Sequence, residues 1–140
     1  MTAPEIYALA RAAGFPPIVA VTMTAIALRE SGGIPTAFNG NAATGDRSYG
    51  LWQINMRDPA VAALLQKEKL LVVDPTASGD EENQLFHPAT NARAAFLLWN
   101  GNNHNLNVAW YIDRDEYQRR YEAHLPVAQA AALALETQTP

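Results

Sequence analysis

Glu30 stands in the stretch ALRESGGIP, at the end of the apolar run IVAVTMTAIAL and directly before Ser31, Gly32 and Gly33. A carboxyl group in the last turn of a buried helix meets backbone carbonyls that carry partial negative charge. An apolar neighbourhood acts in the same sense, so the proton is held more tightly. A carboxyl that keeps its proton near neutral pH can give it to a leaving oxygen, which is general-acid chemistry. The plain alternative is a solvated acid at a frayed helix end, paired with Arg29. Tyr49 lies nineteen residues on, within SYGLWQIN, which mixes aromatic and β-branched residues. Gly50 permits close backbone approach to a flat ring, and Gln53 and Asn55 carry amide donors and acceptors. Tyr49 and Trp52 offer ring faces or core filling. Asp46, two residues before Ser48, reads first as a turn-forming residue, because Gly45-Asp46 is a turn signal.

Other chemistries are poorly supplied. The chain has no cysteine, which removes disulfides, thiolate nucleophiles and zinc–cysteine sites together. His87, His104 and His124 are dispersed, without the spacing of a metal-binding pair, and receive no role. No phosphate-cradling glycine loop and no Ser-His-Asp order appears, so neither metal nor cofactor is expected. Ten Lys and Arg against fourteen Asp and Glu give a net charge of −4, and only Arg119-Arg120 forms a basic pair. Nucleic acid is therefore not an expected partner. No apolar stretch approaches the roughly 20 residues of a membrane span, so a soluble chain without a membrane partner is expected.

The elements that must position these groups follow from caps and periodicity. At 140 residues, with 49% hydrophobic and 17% charged, the chain has the size and composition of one globular domain. Residues 1–136 are assigned to it, and the polar 137–140 to a tail or the start of a linker. Thr2 and Glu5 match a capping box, and Ile6, Leu9, Ala10 and Ala13 recur at helical spacing until Gly14. Pro16 and Pro17 suit the first turn of a second helix, apolar almost all round and ending near Glu30. Residues 36–57 read as loops with a short β-hairpin. Asp58-Pro59 starts a third helix expected to run through Leu70, followed by an irregular loop from Val72 to Leu85. Pro88 opens a helix containing Ala92, Ala95, Phe96 and Trp99, which Asn100-Gly101 stops. Asn100 to Asn107 reads as a loop at the rim of a cleft. The tail from Asp113 to Leu125 repeats tyrosine at Tyr117 and Tyr121, and Pro126 separates it from an alanine-rich last helix. The N-terminus lacks the basic start and apolar core of a secretory signal.

Glu30-Ser31, a turn-rich stretch and SYGLWQIN together resemble the lysozyme-like superfamily, which includes chicken-type lysozymes and soluble lytic transglycosylases. Asn91-Ala92 within NARAAFLLW, followed by Trp110, Tyr111, Tyr117 and Tyr121, look like the C-terminal helix and aromatic motif of phage and actinobacterial transglycosylase-like domains. The resemblance covers residues 15–122, most closely 26–55. It implies a mainly α, lysozyme-like fold with a small β-hairpin beside the active-site cleft, Glu30 ending a central helix and SYGLWQIN forming the opposite wall. Tyr111 would line the cleft from the C-terminal side or pack helix on helix.

The resemblance further implies cleavage of the β-1,4 bond between N-acetylmuramic acid and N-acetylglucosamine in peptidoglycan glycan strands. Two-carboxylate glycosidases need a second acid, and where animal lysozymes carry an aspartate before the Tyr-Gly pair this chain has Ser48. That departure favours the lytic transglycosylase route, in which Glu30 is acid and then base and Ser48 orients the acetyl group or a hydroxyl. The serine that some bacterial transglycosylases carry nine residues after the glutamate is Asn39 here. A hydrolytic muramidase using Glu30 with Asp46, a non-catalytic glycan-binding module and a chitin-directed enzyme are the alternatives. A monomer, or a module of a larger protein such as a phage endolysin or tail-borne lysis protein acting on the bacterial cell wall, is expected.

Overall fold

In the computed structural model, residues 1–70, 84–110, 112 and 121–137 are described. The elements are α1 (Ala3–Ala13), α2 (Pro17–Ser31), β1 (Phe38–Asn41), β2 (Asp46–Tyr49), β3 (Ile54–Asn55), α3 (Pro59–Lys67), α4 (Pro88–Gly101), α5 (Asn107–Trp110) and α6 (Leu125–Glu136). The architecture is mainly helical with one small antiparallel sheet, as the sequence predicts.

Local signals set the helix ends. Thr2 and Glu5 close the capping box of α1 reciprocally. Pro17 occupies the first turn of α2, and Gly32 ends it at φ 62°, its N–H donating to the Leu28 carbonyl over 3.0 Å. Seven residues of α2, from Ala20 to Ser31, are buried, as befits a helix packed by both α1 and α6. Pro126 lies in the first turn of α6, where a missing N–H costs nothing.

One helix end differs from expectation, and a second is closed by the same device. α3 stops at Lys67, short of Leu70, because Lys69 adopts φ 57° and the Leu70 N–H reaches back to Leu65 O over 2.9 Å. This is a Schellman cap without its usual glycine. α4 runs through Gly101 and closes in the same way, with Asn103 at φ 56° and the His104 N–H donating to Trp99 O over 2.8 Å. The Asn100–Asn107 segment therefore begins as helix and ends in the first residue of α5.

The sheet has three strands, in order β1-β2-β3, where a hairpin was expected. Phe38-Asn39-Gly40-Asn41 has a turn-like composition yet pairs with β2, Phe38 against Tyr49 and Asn41 against Asp46. Pairing wins because the 42–45 loop is closed independently: Asn41 O accepts from Gly45 N at 2.7 Å, and Gly45 takes φ 78°. Asp46 is thus the first residue of β2 and not a turn residue. The expected 72–85 loop and the tail from 113 to 125 lie largely outside the described residues, as do Tyr111 and Tyr117.

The core lies between α1, α2, α4 and the inner face of the sheet. Phe15 packs edge-on to Phe96 with ring centres 5.5 Å apart and tilts against Trp99 at 5.2 Å, joining α4 to the α1–α2 turn.

Candidate active site

A cleft of about 700 Å³ opens between the end of α2, the outer face of the sheet, α3 and the α4–α5 segment. Glu30 contributes from α2, Asn39, Asp46, Ser48 and Asn55 from the sheet, and Gln53 from the turn before β3. Val61 and Leu64 from α3, with Leu98, Val108 and Ala109, make the facing wall apolar. One wall is rich in hydrogen-bonding side chains, and the other is mostly apolar, with Asp58 and Asn102 at its edges.

Glu30 sits in the last turn of α2, with its side chain 24% exposed, and pairs with the guanidinium of Arg29, which is only 8% exposed. The helix carbonyls and this cation act on the carboxyl in opposite senses. The pairing that the sequence offered as the plain alternative is therefore present, and the carboxyl lines the cleft as well.

Antiparallel register explains the polar wall. Asn39 is opposite Ser48, and Ser48 is opposite Asn55. Directly opposed residues share a face, and so do residues two apart on one strand. Asn39, Ser48, Asn55 and Asp46 therefore all face the cleft, while Phe38 and Tyr49 face away from it in register; Ile54, opposite Tyr49, still borders the cleft. Asp46 accepts from Thr44 Oγ1 at 2.9 Å, from Asn55 Nδ2 at 3.5 Å and from Arg57 at 3.3 Å. These partners, the Thr44 hydroxyl foremost, hold its carboxyl below the usual aspartate value. Asp46 is kept as an anion, which suits a charge stabiliser or base and not an acid.

Several residues of SYGLWQIN serve the fold. Trp52 is fully buried, its indole N–H donating to Met23 O in α2 over 2.8 Å; of the two roles open to it, core packing is the one observed. Tyr49 is buried against Phe38 and Phe86, with ring centres 5.0 and 5.4 Å away, so protein occupies its surroundings and no sugar face is offered. Gly50 is glycine for a reason other than ligand approach. It has φ 76°, and a Cβ there would lie 2.3 Å from Asn91 Nδ2 and 2.5 Å from Leu85 O. Gln53 lines the cleft, but its amide is taken: Nε2 donates to Ala37 O at 3.2 Å and Gly50 O at 2.9 Å, and Oε1 accepts from Asn39 Nδ2 at 2.7 Å.

Asn91 is the residue whose importance the sequence hid. It is 1% exposed, accepts from Trp52 N at 2.9 Å, and donates to Tyr49 O and Leu85 O, each at 2.8 Å. It pins the 49–52 turn to α4, and Trp110 adds an indole bond to Trp52 O at 2.9 Å. In the sequence Asn91 stood out only as part of the NARAAFLLW motif, with no sign of this bonding role. Asp58, also in the cleft lining, caps α3 by accepting from Ala60 N at 2.9 Å.

Among the described residues no group of three His, Cys, Asp or Glu could hold a metal ion, and no helix is long and apolar enough to cross a membrane. Compared with known proteins, residues 7–111 match the family described as a lysozyme-like domain. No curated protein and no solved structure matches the chain.

Proposed function

Because the chain belongs to the lysozyme-like domain family, a family that acts on peptidoglycan as glycosidases or transglycosylases, we propose that it is a lytic transglycosylase cleaving the β-1,4 bond between N-acetylmuramic acid and N-acetylglucosamine. One observation carries the reading: Glu30 ends a buried helix at one side of a cleft whose other side is a row of polar side chains. In this reading the protonated Glu30 gives its proton to the glycosidic oxygen as the C1–O bond breaks. The glutamate then takes the proton of the muramic acid C6 hydroxyl while O6 bonds to C1. Proton and bonds balance without water, and the product ends in a 1,6-anhydro sugar.

Asn39 and Ser48 support the reading by supplying neutral hydrogen-bonding groups where the acetamido substituent and hydroxyls of a sugar would lie, and Asn55 beside them accepts from Arg57 N at 3.0 Å and donates to Asp46 at 3.5 Å. Site of action is the bacterial cell wall. Delivery by a phage, as an endolysin or a tail-borne module, belongs to the same proposal and rests on the resemblance to phage domains.

A second reading, hydrolysis by a muramidase, is favoured by Asp46, which lines the same cleft and is held as an anion. A carboxylate of that kind could activate water or stabilise positive charge at C1. Mass spectrometry of muropeptides released from purified peptidoglycan separates the two. Anhydro-muramyl ends that vanish in Glu30→Gln support transglycosylation, and reducing ends overturn it in favour of hydrolysis. Wild-type protein that sediments with cell walls yet releases nothing would make the chain a binding module.

A further inference from the structure

Two amides in the cleft have a fixed polarity, and it is set by backbone carbonyls. Gln53 Nε2 lies 3.2 Å from Ala37 O and 2.9 Å from Gly50 O, so both contacts require an N–H donor at that end. Turning the amide over would set its oxygen against two carbonyl oxygens. Gln53 Oε1 is thereby forced toward Asn39 and accepts from Asn39 Nδ2 at 2.7 Å. The Asn39 amide is then forced as well, with its nitrogen toward Gln53 and its Oδ1 free. No hydrogen bond among the described residues engages that Oδ1, and Asn39 is exposed in the cleft lining. Gln53 holds φ 50°, a left-handed conformation unfavourable for a residue with a side chain, and the three side-chain bonds keep it there.

We propose that Asn39 is a substrate-binding residue that presents a hydrogen-bond acceptor to the glycan, and that Gln53 is its positioning residue and not itself a ligand-binding one. The proposal rests on the glycan reading above and deepens it. An amide oxygen accepts only, so the sugar group it selects is a donor, either an acetamido N–H or a ring hydroxyl. Ser48 stands directly opposite Asn39 in the register and can donate or accept, which gives an amide-bearing sugar an acceptor and a donor side by side.

The test measures binding of soluble, uncross-linked peptidoglycan strands to a Glu30→Gln parent that does not consume them. Asn39→Ala removes the acceptor and should weaken binding about tenfold, the worth of one net hydrogen bond. Asn39→Asp keeps an acceptor toward the cleft but sets a carboxylate oxygen against Gln53 Oε1. It should be about tenfold weak near pH 7 and recover to within about twofold of the parent near pH 4, where about half of the aspartate is protonated and can donate to Gln53 as the amide does. Gln53→Met should weaken binding in the parent and have no further effect on binding in the Asn39→Ala background. The acetamido N–H resonance of bound strands should differ between parent and Asn39→Ala if that group is the donor, and be the same in both if a hydroxyl donates. Asn39→Ala that binds as tightly as the parent overturns the inference, as does Asn39→Asp that is equally weak at both pH values. A parent that binds no strands removes the glycan reading itself, and this inference with it.

Discussion

The side-chain amide of Asn91 fills the place a β-carbon on Gly50 would occupy: such an atom would lie 2.3 Å from Asn91 Nδ2. The two residues belong to different elements, α4 and the turn between β2 and β3, and the absence of one side chain makes room for the other. Through this contact α4 holds the turn at 49–52, and the turn in turn sets where β3 and Gln53 stand.

Asn91→Ala should cost about 3–5 kcal/mol, because it leaves Trp52 N–H and the carbonyls of Tyr49 and Leu85 without the partners they have at 2.8–2.9 Å. Gly50→Ala should cost at least as much, since the added carbon meets Leu85 O at 2.5 Å and φ 76° is itself strained for alanine. Urea unfolding of both variants checks this, and two losses under about 1 kcal/mol would contradict it.

Trp52→Phe tests whether the indole contacts substrate. A fully buried ring bonded to Met23 O predicts a stability loss of about 2 kcal/mol from the lost donor and the space left behind. KM on cell walls should stay within about twofold of wild type, because no part of the side chain reaches the cleft. A selective rise in KM with unchanged stability would return Trp52 to the ligand.

Glu30→Gln should lower wall-clearing by about 10²–10⁴-fold, the usual contribution of a general acid, and leave the fold intact because the side chain is partly exposed. Asp46→Asn should cost less than about tenfold in the one-acid reaction. Turbidity clearing compares the two, and a loss at Asp46 as large as that at Glu30 would favour the two-carboxylate reading.

Acid and alkali should each loosen the contact between α1 and α6. Tyr7 OH donates to Glu136 Oε1 at 2.7 Å and Arg11 Nε at 2.8 Å. The Tyr7 bond, and then Arg11, hold the Glu136 carboxyl below its ordinary 4.5, so this contribution is present above that value and fades as pH falls through the lower folded value. Burial, then Glu136, pushes the Tyr7 phenol up to about 12 from 10.0. That contribution is present below pH 10 and fades as pH rises toward 12. Tyr7→Phe should lower Tm by about 3–6 °C near neutrality. It should also reduce the dependence of Tm on pH at both ends, and parallel pH profiles for variant and wild type would refute the assignment.

The helices were legible because their signals are local. Thr2 with Glu5, Pro17 and Gly32 act within one turn of the chain, so they mark the bounds of α1 and α2 whatever packs on them. The same locality placed Glu30 in a last helical turn, from the glycines that follow it. Where a cap used an unusual residue, as with Lys69, the boundary was misjudged, because nothing in a lysine side chain announces a left-handed conformation. β1 was hidden for a related reason: Asn39, Gly40 and Asn41 have turn preferences, and only pairing with β2 overrides them.

By itself, then, the sequence determined a mainly helical fold, an acid at a helix end and a polar segment able to face it. The tertiary structure decided which polar groups in that segment are available. Trp52 meets Asn91 across 39 positions and Trp110 across 58, and these distant partners turn Trp52, Tyr49 and Gly50 toward the core. Strand register, not composition, put Asn39 beside Ser48 and Asn55 on the cleft side. A residue's type limits what it can bond to, but its partners are chosen by a packed chain in which every buried donor and acceptor must be satisfied at once.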